Sequence, residues 1–195
     1  MNSTTQKQLI VVTGCAGGGK TTIGKELAKK LNFVYLDKDT LTSKFTDFIL
    51  KQHNNKNDER ESDYYTSFIM PLEYETCFSI CNEILGNGSN VVISIPFISQ
   101  IQDINKWHEL QDKLNIDDST NVKFIWIKHN IITEKHNIIK RNLPRDYYKL
   151  NHWNEYAETI KDVCPHPEYH ALEIENNSYG DISHIIKQIL LWLQL

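Results

Sequence analysis

One stretch constrains this chain more than any other: Gly14-Cys15-Ala16-Gly17-Gly18-Gly19-Lys20-Thr21. It satisfies G-x-x-x-x-G-K-[ST] at every fixed position. Before it runs Leu9 to Thr13, short, apolar and rich in β-branched residues, which predicts a strand buried on both faces. After it, Thr21 to Leu31 places Ile23, Leu27, Ala28 and Leu31 at helical spacing. A strand that turns through glycines into a helix aims backbone N–H groups at an anion, because no Cβ obstructs the turn. The helix N-terminus adds the positive end of its dipole. The expected ligand is a nucleoside triphosphate with Mg²⁺. Gly14, Cys15, Ala16, Gly17, Gly18, Gly19 and Thr22 would line it, Lys20 would reach the β- and γ-phosphates, and the Thr21 hydroxyl would ligate the metal.

The rest of the chain alternates strand and helix. Phe33 to Leu36 forms a second strand ending at Asp37, Val91 to Ile95 a third ending at Pro96, Val122 to Ile127 a fourth, and Ala171 to Glu175 a fifth. A last helix, capped by Asp181, carries Ile182, Ile185, Ile186, Ile189, Leu190 and Leu193 on one stripe. This order predicts an α/β fold with a parallel sheet and right-handed crossovers. Between the second and third strands, helical patterns over Leu41–Leu50 and Tyr74–Leu85 flank the polar stretch Gln52–Asp63, which is expected to be a mobile loop. We expect one domain over 1–195, with a substrate cap at about 41–85 and a lid at about 134–153.

The net charge of −4 over 195 residues supplies no basic field for a polynucleotide. No apolar run approaches the length of a membrane span. The N-terminus is polar, and the four cysteines make no disulfide framework, so reduced thiols and a cytoplasmic home are expected.

Asp37 and Asp39 follow the second strand, at the carboxyl edge where α/β sheets collect functional groups. Asp39 would accept the proton of a hydroxyl attacking the γ-phosphate, and Asp37 would hold Mg²⁺ or orient Asp39. The plainer alternative makes Asp39 a helix cap. Together, Gly14–Thr21 and Tyr35-Leu36-Asp37-Lys38-Asp39-Thr40-Leu41 resemble the small P-loop kinases that phosphorylate hydroxyls. These include chloramphenicol phosphotransferase, the kinase domain of polynucleotide kinase, the zeta-toxin family and many bacterial AAA family ATPases. The resemblance implies a five-stranded sheet of order 2-3-1-4-5 in a three-layer α/β/α fold, MgATP, a lid after the fourth strand, and Asp39 rather than Asp37 as general base.

Only three arginines exist, and two of them, Arg141 and Arg145, follow the fourth strand. Their guanidinium groups would brace the γ-phosphate during transfer, as lid arginines of the same kinases do. Otherwise they are surface residues on solvated turns. The third strand ends in Ser94 where many P-loop enzymes place an aspartate, which argues against water-activated hydrolysis. In the cap, Tyr65, Glu73 and Tyr74 are candidates for substrate contact or for cap-to-core packing. Cys164, His166 and His170 lack the second half of a zinc pattern and are expected to belong to a loop bracing the fifth strand. His129, His152 and His184 are isolated and receive no role.

The expected function is transfer of the γ-phosphate of MgATP to a hydroxyl of a small metabolite or antibiotic. Two alternatives stay open: a nucleotide or polynucleotide 5′-kinase, and an ATP-gated binding module without transfer.

Overall fold

The computed structural model describes residues 7–54, 60–116, 119–177 and 182–194. In chain order the elements are β1 (Gln8–Gly14), α1 (Lys20–Leu31), β2 (Val34–Asp37), α2 (Lys38–Asn54), a π-helical turn (Tyr65–Ile69), α3 (Met70–Gly86), β3 (Val91–Ser94), α4 (Ile98–Ile101) and α5 (Ile104–Leu114). Then come β4 (Asn121–Lys128), α6 (Ile131–Arg141), a 3₁₀ turn (Pro144–Asp146), α7 (Tyr147–Asn151), α8 (Trp153–Ile160), a second 3₁₀ turn (Pro167–Tyr169), β5 (Leu172–Glu175) and α9 (Ile182–Trp192). Asp181 and part of the polar stretch, residues 55–59, lie outside the described residues.

The strands lie in the order β2-β3-β1-β4-β5, and each neighbouring pair is parallel. Strand alternation then divides the core into two layers. Leu9, Val11, Val91, Ile93, Phe124 and Trp126 face the side covered by α3 and α5. Ile10, Val12, Val92, Ile125 and Ile127 face the side covered by α1 and α9, where Ile23, Leu27, Ile185, Ile186 and Ile189 meet them. Both faces of the central strands are buried, which is why those strands read as unbroken apolar runs.

The cap begins earlier than its apolar pattern suggests. α2 starts at Lys38, directly after β2, and not near Leu41. The Asp37 carboxylate accepts the Thr40 N–H at 2.9 Å and the Thr40 hydroxyl at 3.1 Å, so Asp37 caps the helix and Asp39 stands in its first turn. The helix following β4 likewise starts at Ile131, ahead of the expected lid boundary, because the Asn130 side chain caps it through the Thr133 N–H.

Candidate active site

The carboxyl ends of β1, β2 and β3 open on a cleft of about 1190 Å³. Its floor is Ala16 to Thr22, its cap side carries Asp37, Asp39, Arg60, Tyr65 and Tyr74, and its far wall carries Arg141, Arg145 and Lys149. The phosphate loop, the acidic pair and the arginine segment thus share one space, although they are scattered along the sequence.

The loop is built by close approach. A Cβ at Gly14 would lie 2.5 Å from the Ile127 carbonyl oxygen, because β1 and β4 pair tightly there. Gly17 and Gly19 have φ of +72° and +90°, a region that costs any other residue. The Lys20 ammonium folds back to donate to the Gly14 and Cys15 carbonyls at 2.8 and 2.6 Å. Loss of water lowers its pKa to about 8, with the Arg141 charge acting in the same direction. Gly14 and Cys15 do not line the cleft; they act through those carbonyls. The Cys15 side chain turns away, toward a separate cavity beside Trp126, His129 and Glu134, and burial pushes its thiol up to about 12. Such a thiol is inert at neutral pH.

Thr21 Oγ1 donates to Asp37 Oδ2 at 3.0 Å. Two hard oxygens at the mouth of the cleft, with room for water, fit a Mg²⁺ that keeps part of its hydration shell. Ser94, in register with Asp37, donates instead to the Lys20 carbonyl at 3.1 Å. β3 therefore contributes to the seating of α1 at the position where an acid was missed.

Asp39 is the electrostatic centre of the cleft. Arg145 approaches its carboxylate to 2.6 Å, Lys38 to 3.3 Å and Arg60 to 3.7 Å. Burial pushes its pKa up, but Lys38, Arg145 and Arg60 outweigh that and hold it below the usual carboxylate range. Asp39 is thus an ionised carboxylate lining the same cleft as the loop. Arg141 is engaged differently: its Nε and Nη2 grip the two oxygens of buried Asp146 at 2.6 and 2.5 Å. The 3₁₀ turn at Pro144–Asp146 places Arg141 and Arg145 on different supports rather than on one helix.

Glu73 is not a cleft residue. Only 4% exposed, it accepts from Lys38 at 2.7 Å, Thr42 at 2.8 Å, Thr46 at 2.5 Å and Tyr65 at 2.7 Å. With its lone pairs taken, it ties the cap helices together and sets Lys38 beside Asp39. Tyr65 borders the cleft but gives its hydroxyl proton to Glu73, and Tyr74 uses its oxygen to accept the Phe97 N–H at 3.2 Å. That bond supports Phe97 at a φ of +55°, where its ring enters the aromatic cluster of Phe78, Trp107 and Phe124.

Sequence reasoning overlooked several groups. Arg60, one of the three arginines, enters the cleft from the cap and pairs with Asp47 at 2.8 Å. His129 packs beneath the loop, and Asn137 and Asn176 bond to it. Arginine scarcity was a usable signal for Arg60; nothing local marks the other three. The Cys164–His170 loop is tied to α4: the His166 N–H donates to the Ile101 carbonyl, and the Tyr169 hydroxyl donates to the Gln100 carbonyl at 2.7 Å.

A family model described as an AAA domain matches residues 9–161. The chain belongs to this AAA domain family. Its fold is that of the small P-loop kinases. A candidate kinase from Chloroflexus aurantiacus superposes with a TM-score of 0.63 at 17% identity, covering 98% of each chain. A sugar kinase from Janibacter sp. superposes with a TM-score of 0.61 at 16% identity, covering 96% of this chain and 95% of that one. A shikimate kinase from Caldanaerobacter subterraneus is 29% identical over 48% of this chain and 52% of its own length. A bifunctional pantoate ligase/cytidylate kinase from Prochlorococcus marinus is 39% identical over 29% of this chain and 11% of its own length. The chain thus spans about half, or far less, of these curated relatives. No helix among the described residues is long and apolar enough to cross a membrane.

Proposed function

We propose that this chain is an ATP-dependent phosphotransferase that moves the γ-phosphoryl group of MgATP to a hydroxyl of a small molecule. The observation that carries this is the position of Asp39, an ionised carboxylate opposite the phosphate loop with arginine at its side. Phosphoryl transfer asks the protein mainly for alignment and charge stabilisation, with proton removal from the attacking oxygen. Loop N–H groups and Lys20 would hold the triphosphate. Thr21 and Asp37 would hold the metal, which offsets charge on the β- and γ-phosphates. Asp39 would accept the acceptor's proton. Arg145, drawn from Asp39 toward the incoming phosphoryl group, would stabilise the charge that moves with it, while Asp146 keeps Arg141 aimed at the same space. The cap region from α2 to α3 and the lid region from α6 to α7 would enclose the acceptor. The similarity to shikimate and sugar kinases supports a small hydroxylated acceptor.

The test is phosphoryl transfer from γ-labelled ATP into a metabolite pool, with products read by mass. Asp39→Asn is expected to reduce transfer by about 10³-fold while MgATP affinity stays within a few-fold. Lys20→Ala should abolish both. Full transfer by Asp39→Asn would remove Asp39 from the chemistry.

The partial match to a cytidylate kinase favours a second reading, a nucleoside monophosphate acceptor. A labelled diphosphate product in the same pool would select it. ATP binding without any labelled product would instead leave a nucleotide-gated module.

A further inference from the structure

Three consecutive carbonyls of the phosphate loop are each taken by a side chain from a different part of the fold. His129, after β4, reaches the Ala16 carbonyl through Nε2 at 3.0 Å. Asn137, on α6, donates to the Gly17 carbonyl at 2.8 Å. Asn176, after β5, donates to the Gly18 carbonyl at 2.9 Å. A peptide unit is planar and trans, so its C=O and N–H point in opposite directions. Fixing the Ala16, Gly17 and Gly18 carbonyls therefore fixes where the N–H groups of Gly17, Gly18 and Gly19 point.

Granted the MgATP reading above, we propose that His129, Asn137 and Asn176 are positioning residues that hold the loop's N–H groups toward the triphosphate. The glycines bear this out. The loop pattern itself requires only Gly14 and Gly19. Gly18 has no left-handed backbone, yet a Cβ there would lie 2.9 Å from His129 Cε1 and Nδ1. A Cβ at Gly17 would lie 3.1 Å from Asn137 Cβ, and one at Gly19 would lie 2.8 Å from Asn176 Nδ2. The run of glycines makes room for the side chains that steer it.

His129 has its own support. Its ring is 1% exposed, and Nε2 also lies 3.1 Å from Glu134 Oε2. Both neighbours of Nε2 are acceptors, so Nε2 carries a hydrogen. The other Glu134 oxygen accepts the Tyr156 hydroxyl at 2.5 Å, so α8 holds the carboxylate that orients the imidazole.

Calorimetric titration of the full chain with MgATP, beside melting without nucleotide, tests the idea. Asn137→Ala and Asn176→Ala should each weaken MgATP by about 5- to 30-fold, the effect of losing one partner of a buried hydrogen bond, with melting temperatures close to wild type. His129→Ala should lose as much, and His129→Gln, which returns an N–H near the Nε2 position, should recover most of it. Gly18→Ala should weaken MgATP when His129 is present and cost nothing further beside His129→Ala. A merely structural role would lower melting without that pattern. Wild-type affinity in all three alanine variants, or a Gly18→Ala effect independent of residue 129, would overturn the proposal while leaving the nucleotide reading intact. Failure of the wild-type chain to bind MgATP would overturn both.

Discussion

Lys20 and Asp39 are both shifted down by their tertiary surroundings, one by loss of water and the other by neighbouring cations. Desolvation brings Lys20 down to about 8. A bound triphosphate would favour its charged form and raise that value. Affinity for MgATP should therefore be flat below pH 8 and fall as pH rises past it. Calorimetry in buffers of different ionisation heats should register proton uptake on binding near that pH. Affinity independent of pH between 7 and 9 would contradict this picture of Lys20. Asp39 is held low by Lys38, Arg145 and Arg60 against the upward push of burial. The acid limb of its transfer reaction should then lie below the ordinary aspartate value of about 3.9. Arg145→Ala removes a cation 2.6 Å away, so the limb should move to higher pH, as a pH–rate profile would show.

Among elements, the contact of α1 with β2 and β3 sets the floor of the site. Gly24 lets the helix sit against them: a Cβ there would collide with the Ser94 hydroxyl and come within 2.8 Å of Tyr35 Cε2. Ser94 in turn bonds the Lys20 carbonyl, and Tyr35 reaches Asp37 Oδ2 at 3.3 Å. Gly24→Ala gains helix propensity, yet it should destabilise the protein by about 1–3 kcal/mol through overpacking. Urea denaturation measures that, and an unchanged or raised midpoint would contradict it. α2 shows the other side of element formation. One carboxylate, Asp37, both starts the helix and meets the Thr21 hydroxyl, so the cap and the proposed metal position share an anchor.

On the scale of the whole molecule, two apolar layers give the fold its strength and a buried polar hub joins the cap to it. Lys38 and Glu73 bond at 2.7 Å with side chains 4% and 3% exposed. Removing one partner of such a pair leaves a charge without its counterpart and typically costs about 3–5 kcal/mol. Glu73→Gln should therefore lower the midpoint of thermal unfolding, and Asp39 should lose its neighbour's order, read as a fall in transfer larger than the fall in MgATP affinity. In the native protein Lys38 and the hydroxyl donors hold the Glu73 pKa below its ordinary value, against desolvation. Its stabilisation is thus complete above the ordinary glutamate value of 4.5 and is lost as pH falls through the lowered native value. An acid titration of stability should lose part of its slope there in Glu73→Gln.

Much of this was legible in the residues themselves. The parallel sheet, its order by resemblance, the phosphate loop and the helix stripe from Ile185 to Ile189 follow from local signals. Apolar periodicity and glycine placement act over a few residues and need no distant partner. The sequence alone therefore determined where the glycine loop stands between β1 and α1, and that helices cover both faces of the sheet. It could not tell that Glu73 points inward, that Arg141 belongs to Asp146, or that Arg60 reaches Asp39. Nor could it tell that His129, Asn137 and Asn176 bond to the loop's carbonyls. Those assignments depend on side chains meeting across long stretches of chain, and only the packing of helices on the sheet decides which charge meets which.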